Sequence, residues 1–206
     1  MKILIAYYSR YGHILRMARA VEEGVSSAGG IESVLRRIQE FPDIEKDVGK
    51  DQFAKRTWDE QKDIPVCTLD DLAQADGLVV GSPTRFGNMT AQVKKFVDST
   101  SGLWMKGVLE GKPVGFFTST ATTHGGQETT LLTMMVPFLH LGMLIVGVPY
   151  STPGMLHTEA RGGTPYGATT LAGTQNNLLP TEEDLNIARA LGKRVAEIAK
   201  KSADKN

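Results

Sequence analysis

The sequence predicts an α/β protein in three layers, with a doubly wound parallel sheet covered by helices on both faces. Two observations carry this. Four short and almost wholly apolar runs, at 2–8, 76–83, 112–120 and 144–150, have the length and composition of buried strands. Segments with helical spacing lie between and after them, so strand and helix alternate along the chain. A third observation concerns chemistry: the stretches directly after three of these strands are rich in Ser, Thr and Gly.

Taken in order, "KILIAYY" (2–8) is the first buried strand. From His13, the residues Ile14, Met17, Ala18, Val21 and Val25 recur at helical spacing, and Gly29 and Gly30 close that helix. "IESVLRRI" (31–38) alternates apolar and polar residues, as an edge strand does. The stretch 41–63 is charged and shows no clean period; it reads as an insertion loop that adds to a pocket rim or an interface. Thr68 is placed to cap a short helix over 68–75, ahead of the strand "DGLVVGSP" (76–83). An amphipathic helix follows at 89–100, with Val93, Phe96 and Val97 inward, and then the strand "KPVGFFTST" (112–120). The helix at 127–143 is interrupted by Pro137, which removes a backbone donor and should kink it. "LIVGVPY" (144–150) is the next strand, and 151–180 is a long ordered loop. The last helix, 181–201, starts at Thr181 with Glu182, Glu183 and Asp184 and ends with Lys200 and Lys201, each charge at its favourable pole of the helix dipole.

Five strands in 206 residues fit one flavodoxin-like domain over 1–206, with strand order 2-1-3-4-5. Composition excludes several classes. With 23 basic and 23 acidic residues the net charge is zero, which argues against a nucleic-acid partner. The single Cys67 excludes a disulfide framework and a Cys-rich metal site. The N-terminal apolar run has no small-residue cleavage site after it, and no run is long enough to span a membrane, so a cytoplasmic location is expected.

In this topology ligands bind beyond the carboxyl ends of the strands, at the switch point. There the chain offers "SRYGHI" (9–14), "SPTRFGN" (82–88) and "TSTATTHGGQE" (118–128). The first ends at a helix N-terminus, where backbone N–H groups and the dipole favour an anion. It lacks the Gly-rich turn that usually holds a dinucleotide pyrophosphate, so a monoester phosphate suits it better, with Ser9 as hydrogen-bonding partner and Gly12 allowing close approach. The other two loops would flank something flat attached to that phosphate, with Pro83, Phe86 and Gly87 at a ring edge. FMN, with one phosphate, a polyol and a planar ring, matches these demands.

The stretches "YYSRYGHI" (7–14), "PTRFGNM" (83–89), "SGLWMKG" (101–107), "GGQE" (125–128) and "RGGTPYGATTLAG" (161–173) together resemble the WrbA family of flavodoxin-like NAD(P)H:quinone oxidoreductases. The resemblance runs from Lys2 to the last helix. It implies one FMN per subunit, NADH or NADPH as co-substrate, a quinone as acceptor, and a homotetramer built as a dimer of dimers. It implies that Ser9, Arg10, Tyr11, Gly12, His13 and Ile14 form the phosphate loop, with Tyr11 also meeting the nicotinamide nucleotide. Thr84, Arg85 and Phe86 would contact the flavin ring, with Asn88 supporting their loop. Ser119, Thr120, Ala121, Thr122, Thr123 and His124 would form the third FMN loop, which is longer here than the family's Gly-rich version. His140 would sit at the flavin and Trp104 would line the substrate site. Taken without the resemblance, His140 reads as a packed core histidine, and Trp104 equally as packing or an interface anchor.

The reaction so implied is ping-pong: hydride passes to flavin N5, the oxidised nicotinamide leaves, and a quinone takes its place and accepts two electrons. Arg85 and His140 are the polar groups expected beside the quinone oxygens. No metal cluster or nucleophilic triad is evident in the sequence. Two rival readings are a flavodoxin-type electron shuttle, against which the neutral charge weighs, and a non-enzymatic regulatory binding protein.

Overall fold

The computed structural model describes residues 1–158 and 161–203. Its strands are β1 (Lys2–Tyr7), β2 (Glu32–Arg37), β3 (Gly77–Pro83), β4 (Pro113–Thr120), β5 (Leu144–Ile145), β6 (Gly163–Thr164) and β7 (Gly167–Leu171). Its helices are α1 (His13–Ser27), α2 (Pro42–Glu45), α3 (Gln52–Gln61), α4 (Leu69–Gln74), α5 (Ala91–Asp98), α6 (Ser101–Trp104), α7 (Gln127–His140) and α8 (Glu182–Ala203). The sheet runs β2-β1-β3-β4-β7-β6, with β5 also on β4. All pairings are parallel except β6 with β7.

Side chains along β1 alternate between two apolar layers, as the pleat requires. Ile3, Ile5 and Tyr7 face α1 and α8, together with Val79 and Phe117. Leu4, Ala6 and Tyr8 face the opposite layer, with Val80, Phe116, Val93 and Leu131. Both layers are needed because a parallel sheet tolerates neither face in water.

The expected strand order is present, but the fifth lane is shared by two segments. β5 pairs only with Pro113 and Val114 at the start of β4, and β7 pairs with Phe117 to Thr120 at its end. The expected strand 144–150 therefore leaves the sheet early, and Val148 N–H donates to the Pro165 carbonyl instead (3.1 Å). β7 lies inside the expected 151–180 loop, because its buried positions Thr169 and Thr170 gave it no apolar run; residues 159–160 of that loop lie outside the described residues.

The stretch 41–63 is not an unstructured insertion. It contains α2 and α3, and α3 turns Ala54, Thr57 and Gln61 inward. Small and polar side chains on the buried face leave no hydrophobic period to read. Asp51 caps α3 by accepting from Phe53 N–H and Ala54 N–H (2.8 and 3.1 Å). The two expected Thr caps are both present. Thr68 and Asp71 form a reciprocal capping box on α4. At α8, Asp184 N–H donates to Thr181 Oγ1 (3.2 Å) and Thr181 N–H to Asp184 Oδ2 (3.0 Å). Asp184 also accepts from Gly162 N–H (2.6 Å) and Thr170 O–H (2.7 Å), tying the Gly-rich stretch to the last helix.

Candidate flavin site

The carboxyl ends of β1, β3 and β4 converge, and the three Ser- and Thr-rich loops meet there around a cavity of about 120 Å³. Ser9, Arg10, Tyr11, His13, Ile14, Thr84, Arg85, Ser119, Thr120 and Ala121 all line it. Of the expected residues, Gly12 forms the turn beneath it.

The first loop is built on one hydroxyl. Ser9 Oγ accepts from Gly12 N–H and from Leu15 N–H, each at 3.2 Å. Leu15 is in the first turn of α1, so Ser9 supplies the acceptor that a helix start lacks. Gly12 precedes α1 with φ of +93°, a conformation that side chains disfavour. The N–H groups of His13 and Ile14 have no intrahelical acceptor, because only carbonyls outside the helix precede them. Ser9 Oγ accepts twice and still has its own proton to donate. One hydroxyl donor beside first-turn N–H groups, at the positive end of α1, is a donor set for a phosphate monoester.

His13 is buried, and its Nε2 lies 2.8 Å from the Leu178 carbonyl. A carbonyl only accepts, so Nε2 carries the proton. Burial lowers the imidazole pKa, partly opposed by this bond. Arg10 extends over the Tyr11 ring, with Cζ 5.8 Å from the centroid, and its Nη1 is 3.6 Å from Glu40 Oε2. Glu40 is buried and accepts from Tyr8 O–H (2.5 Å), Gln92 Nε2 (2.5 Å) and Phe41 N–H (2.9 Å). Burial pushes the Tyr8 hydroxyl pKa up, and the bond to Glu40 adds to the rise.

The second loop is a tight turn. Arg85 and Asn88 exchange both backbone bonds (2.8 and 3.0 Å), and Gly87 N–H donates to Thr84 Oγ1 (3.1 Å). α7 fixes it from behind, through Thr130 O–H to Thr84 Oγ1 (2.8 Å) and Thr133 O–H to the Gly87 carbonyl (3.1 Å). Phe86, at the tip, is fully exposed with φ of +53°. Held backbone strain around an exposed ring marks a binding surface more often than a packing one.

The third loop joins the second where Thr84 N–H donates to the Ser119 carbonyl (2.9 Å). Its turn is closed by Thr120 O–H and Gly125 N–H, both donating to the Thr122 carbonyl (2.8 and 3.0 Å). Gly126 has φ of +90°, and a Cβ there would come within 3.1 Å of Gly87 Cα, so the two loops touch backbone to backbone. Ala121, Thr122, Thr123 and His124 are exposed.

Trp104 and His140 are not at this cavity. They line a separate open groove of about 530 Å³ between α5, α6 and α7, with Met89, Val136 and Pro137. The 84–88 loop is the wall between the two: Thr84 and Arg85 face the cavity, and Asn88 faces the groove. Cys67 is buried away from both, and burial pushes its thiol up to about 12, so it is inert at neutral pH. Ala172 and Asn176 also line the cavity. Ala172 belongs to the 161–173 stretch that carries the resemblance, whereas no sequence signal marks Asn176, which reaches the cavity only through the path of the chain after β7.

The chain resembles known proteins along nearly its whole length. Residues 1–155 match the model of the family described as NADPH-dependent FMN reductase. A protein of Geotalea uraniireducens named NAD(P)H dehydrogenase (quinone) is 52% identical over 204 residues, covering 98% of this chain and all of the relative. One of the same name from Geobacter sulfurreducens is also 52% identical, with 98% of each chain covered. Among solved structures, the flavodoxin-class, WrbA-like protein of Agrobacterium tumefaciens has a TM-score of 0.64 at 24% identity, over 97% of this chain and 98% of that one. With the phosphate-type donor set at the head of a flavodoxin-like sheet, these similarities place the chain in the NADPH-dependent FMN reductase family, among the NAD(P)H dehydrogenases (quinone).

Proposed function

We propose that this protein reduces quinones to hydroquinones with NADH or NADPH, using FMN held at the three-loop site. The observation that carries this is Ser9, whose hydroxyl accepts two backbone N–H groups and keeps a proton for an anion. Bound FMN supplies two-electron redox chemistry, taking up a hydride and giving it up again.

The residues divide the work. Ser9 and the first-turn N–H groups of His13 and Ile14 hold the phosphate, with the Arg10 guanidinium and the α1 dipole favouring its charge. Thr84, Arg85 and Phe86 meet the ring. Their loop is held rigid by Thr130 and Thr133, so it need not reorganise when ligands exchange. Ser119 to His124 border the polyol. Arg85, exposed at the cavity rim, can donate to a quinone oxygen. His140 and Trp104 bound the substrate from the groove side, with Trp104 offering a flat apolar face. Sequential use of one site by nicotinamide and quinone, giving ping-pong kinetics, belongs to this proposal.

So does a homotetramer in the cytoplasm. Its support is that Trp104, Met105, Val136 and Leu139 expose large apolar side chains around the groove. No helix among the described residues is long and apolar enough to cross a membrane.

The test is direct. The purified protein should take up FMN with the absorbance of a bound flavin, and should oxidise NADH or NADPH when benzoquinone is added. Protein that cannot take up FMN overturns the proposal. Bound FMN without NAD(P)H oxidation replaces the enzyme with an electron shuttle.

A further inference from the structure

The helix α3, inside the stretch that reads as an insertion, leans on the proposed phosphate loop. Gln61 Nε2 donates to the Ser9 carbonyl (2.8 Å), and Gln61 is buried. That carbonyl only accepts, which fixes the amide's orientation and turns Oε1 the other way. One turn earlier, Thr57 is buried against the loop's Gly12: a Cβ added to Gly12 would lie 3.1 Å from Thr57 Oγ1. Gln61 Oε1 and Arg10 Nη1 are both buried without a hydrogen-bond partner. One is an acceptor and the other a donor, and both residues line the same small cavity of about 20 Å³, next to Glu40.

Two contacts from α3, Gln61 to the Ser9 carbonyl and Thr57 against Gly12, thus converge on the segment 9–12, which in the proposed site presents donors to the phosphate. From this we infer that α3 is a strap that positions the phosphate loop, with Gln61 as its positioning residue, and that it sets how well the protein tells a phosphorylated flavin from an unphosphorylated one. The inference deepens the FMN reading and rests on it. Gln61 does not line the flavin cavity and bonds to the first loop at the Ser9 carbonyl, so its effect reaches a ligand through the phosphate end.

The test uses FMN and riboflavin, which share the ring and polyol and differ in the phosphate. Gln61→Met keeps the volume and removes both polar atoms. Gln61→Glu keeps the shape and can accept from Arg10, but its ionised carboxylate cannot donate to the Ser9 carbonyl. Losing one buried bond under the loop should weaken FMN binding by about tenfold while leaving riboflavin binding unchanged, so the preference for FMN falls by the same factor. In the apoprotein, the Gly12 and Leu15 amides should exchange with solvent faster in Gln61→Met, while the α8 amides keep wild-type protection. If Gln61→Met does not fold, Gln61→Glu carries the measurement. A wild-type preference for FMN retained in full by the variants overturns the strap. Variants that weaken both flavins equally also overturn it, since that is loss of the fold. A wild-type protein that binds neither flavin defeats the cofactor reading first and this inference with it.

Discussion

Replacing Ser9 with Ala tests the site at its foundation. The substitution removes the Oγ that accepts from Gly12 N–H and Leu15 N–H, both at 3.2 Å, and leaves the packing of β1 and α1 intact. An intramolecular hydrogen bond contributes about 1 kcal/mol net, and water entering from the adjoining cavity limits the further penalty of an unpaired donor, so the apoprotein should lose about 2 kcal/mol. For a chain of this size that lowers Tm by about 4–8 °C. FMN should suffer separately if, as proposed, the same hydroxyl offers its proton to the phosphate. A bond to a charged group contributes about 1.5–3 kcal/mol, so FMN affinity should fall by roughly 10- to 100-fold. Differential scanning calorimetry of the apoprotein measures the first loss, and flavin fluorescence titration the second. An apoprotein Tm unchanged within error would refute the capping role. Unchanged FMN affinity together with a lowered Tm would show that the hydroxyl only caps α1 and that the phosphate lies elsewhere.

Three further outcomes are expected. Asp184→Ala leaves Gly162 N–H, Thr170 O–H and Thr181 N–H without their acceptor, and should cost about 3 kcal/mol or more in urea unfolding, with the cavity's Ala172 side loosened. His13 is buried neutral with its pKa held below the ordinary 6.5, so the unfolded chain binds the proton more readily. Its contribution to stability is complete above pH about 6.5 and is lost as pH falls toward the folded value; His13→Asn should flatten that slope between pH 5 and 7 in thermal melts. His140→Ala should reduce quinone turnover more than FMN retention, because His140 lines the groove and not the phosphate cavity; equal losses in steady-state kinetics and flavin content would remove it from the substrate side.

Much of the architecture was legible because it rests on period and burial. The runs at 2–8, 76–83 and 112–120 are strands because a parallel sheet buried on both faces demands unbroken apolar residues, and α1 and α8 show the stripe that covers them. The three loops were legible as well, since strand ends and helix starts are local features and their Ser, Gly and Thr residues have few structural reasons to cluster there. β7 was hidden because its buried positions are Gly167, Ala168, Thr169 and Thr170, which make no aliphatic run, and the Thr170 hydroxyl is satisfied by Asp184 on another element. α3 was hidden because it buries Ala54, Thr57 and Gln61 rather than aliphatic side chains.

The sequence by itself therefore determined the layers, the strand order and the three loops that meet at the cavity, all of which follow from local pattern and the chemistry of a helix start. Only the tertiary structure decided three other things. It put α3 beneath the first loop through a bond between residues 52 positions apart. It filled the fifth lane with two separate segments. It set Trp104 and His140 in a groove behind the 84–88 loop rather than at the cavity. The physical reason is the same in each case. A local pattern records which residues prefer water and which do not, but a buried polar group is satisfied by whichever partner the finished fold delivers, and that partner leaves no periodic trace.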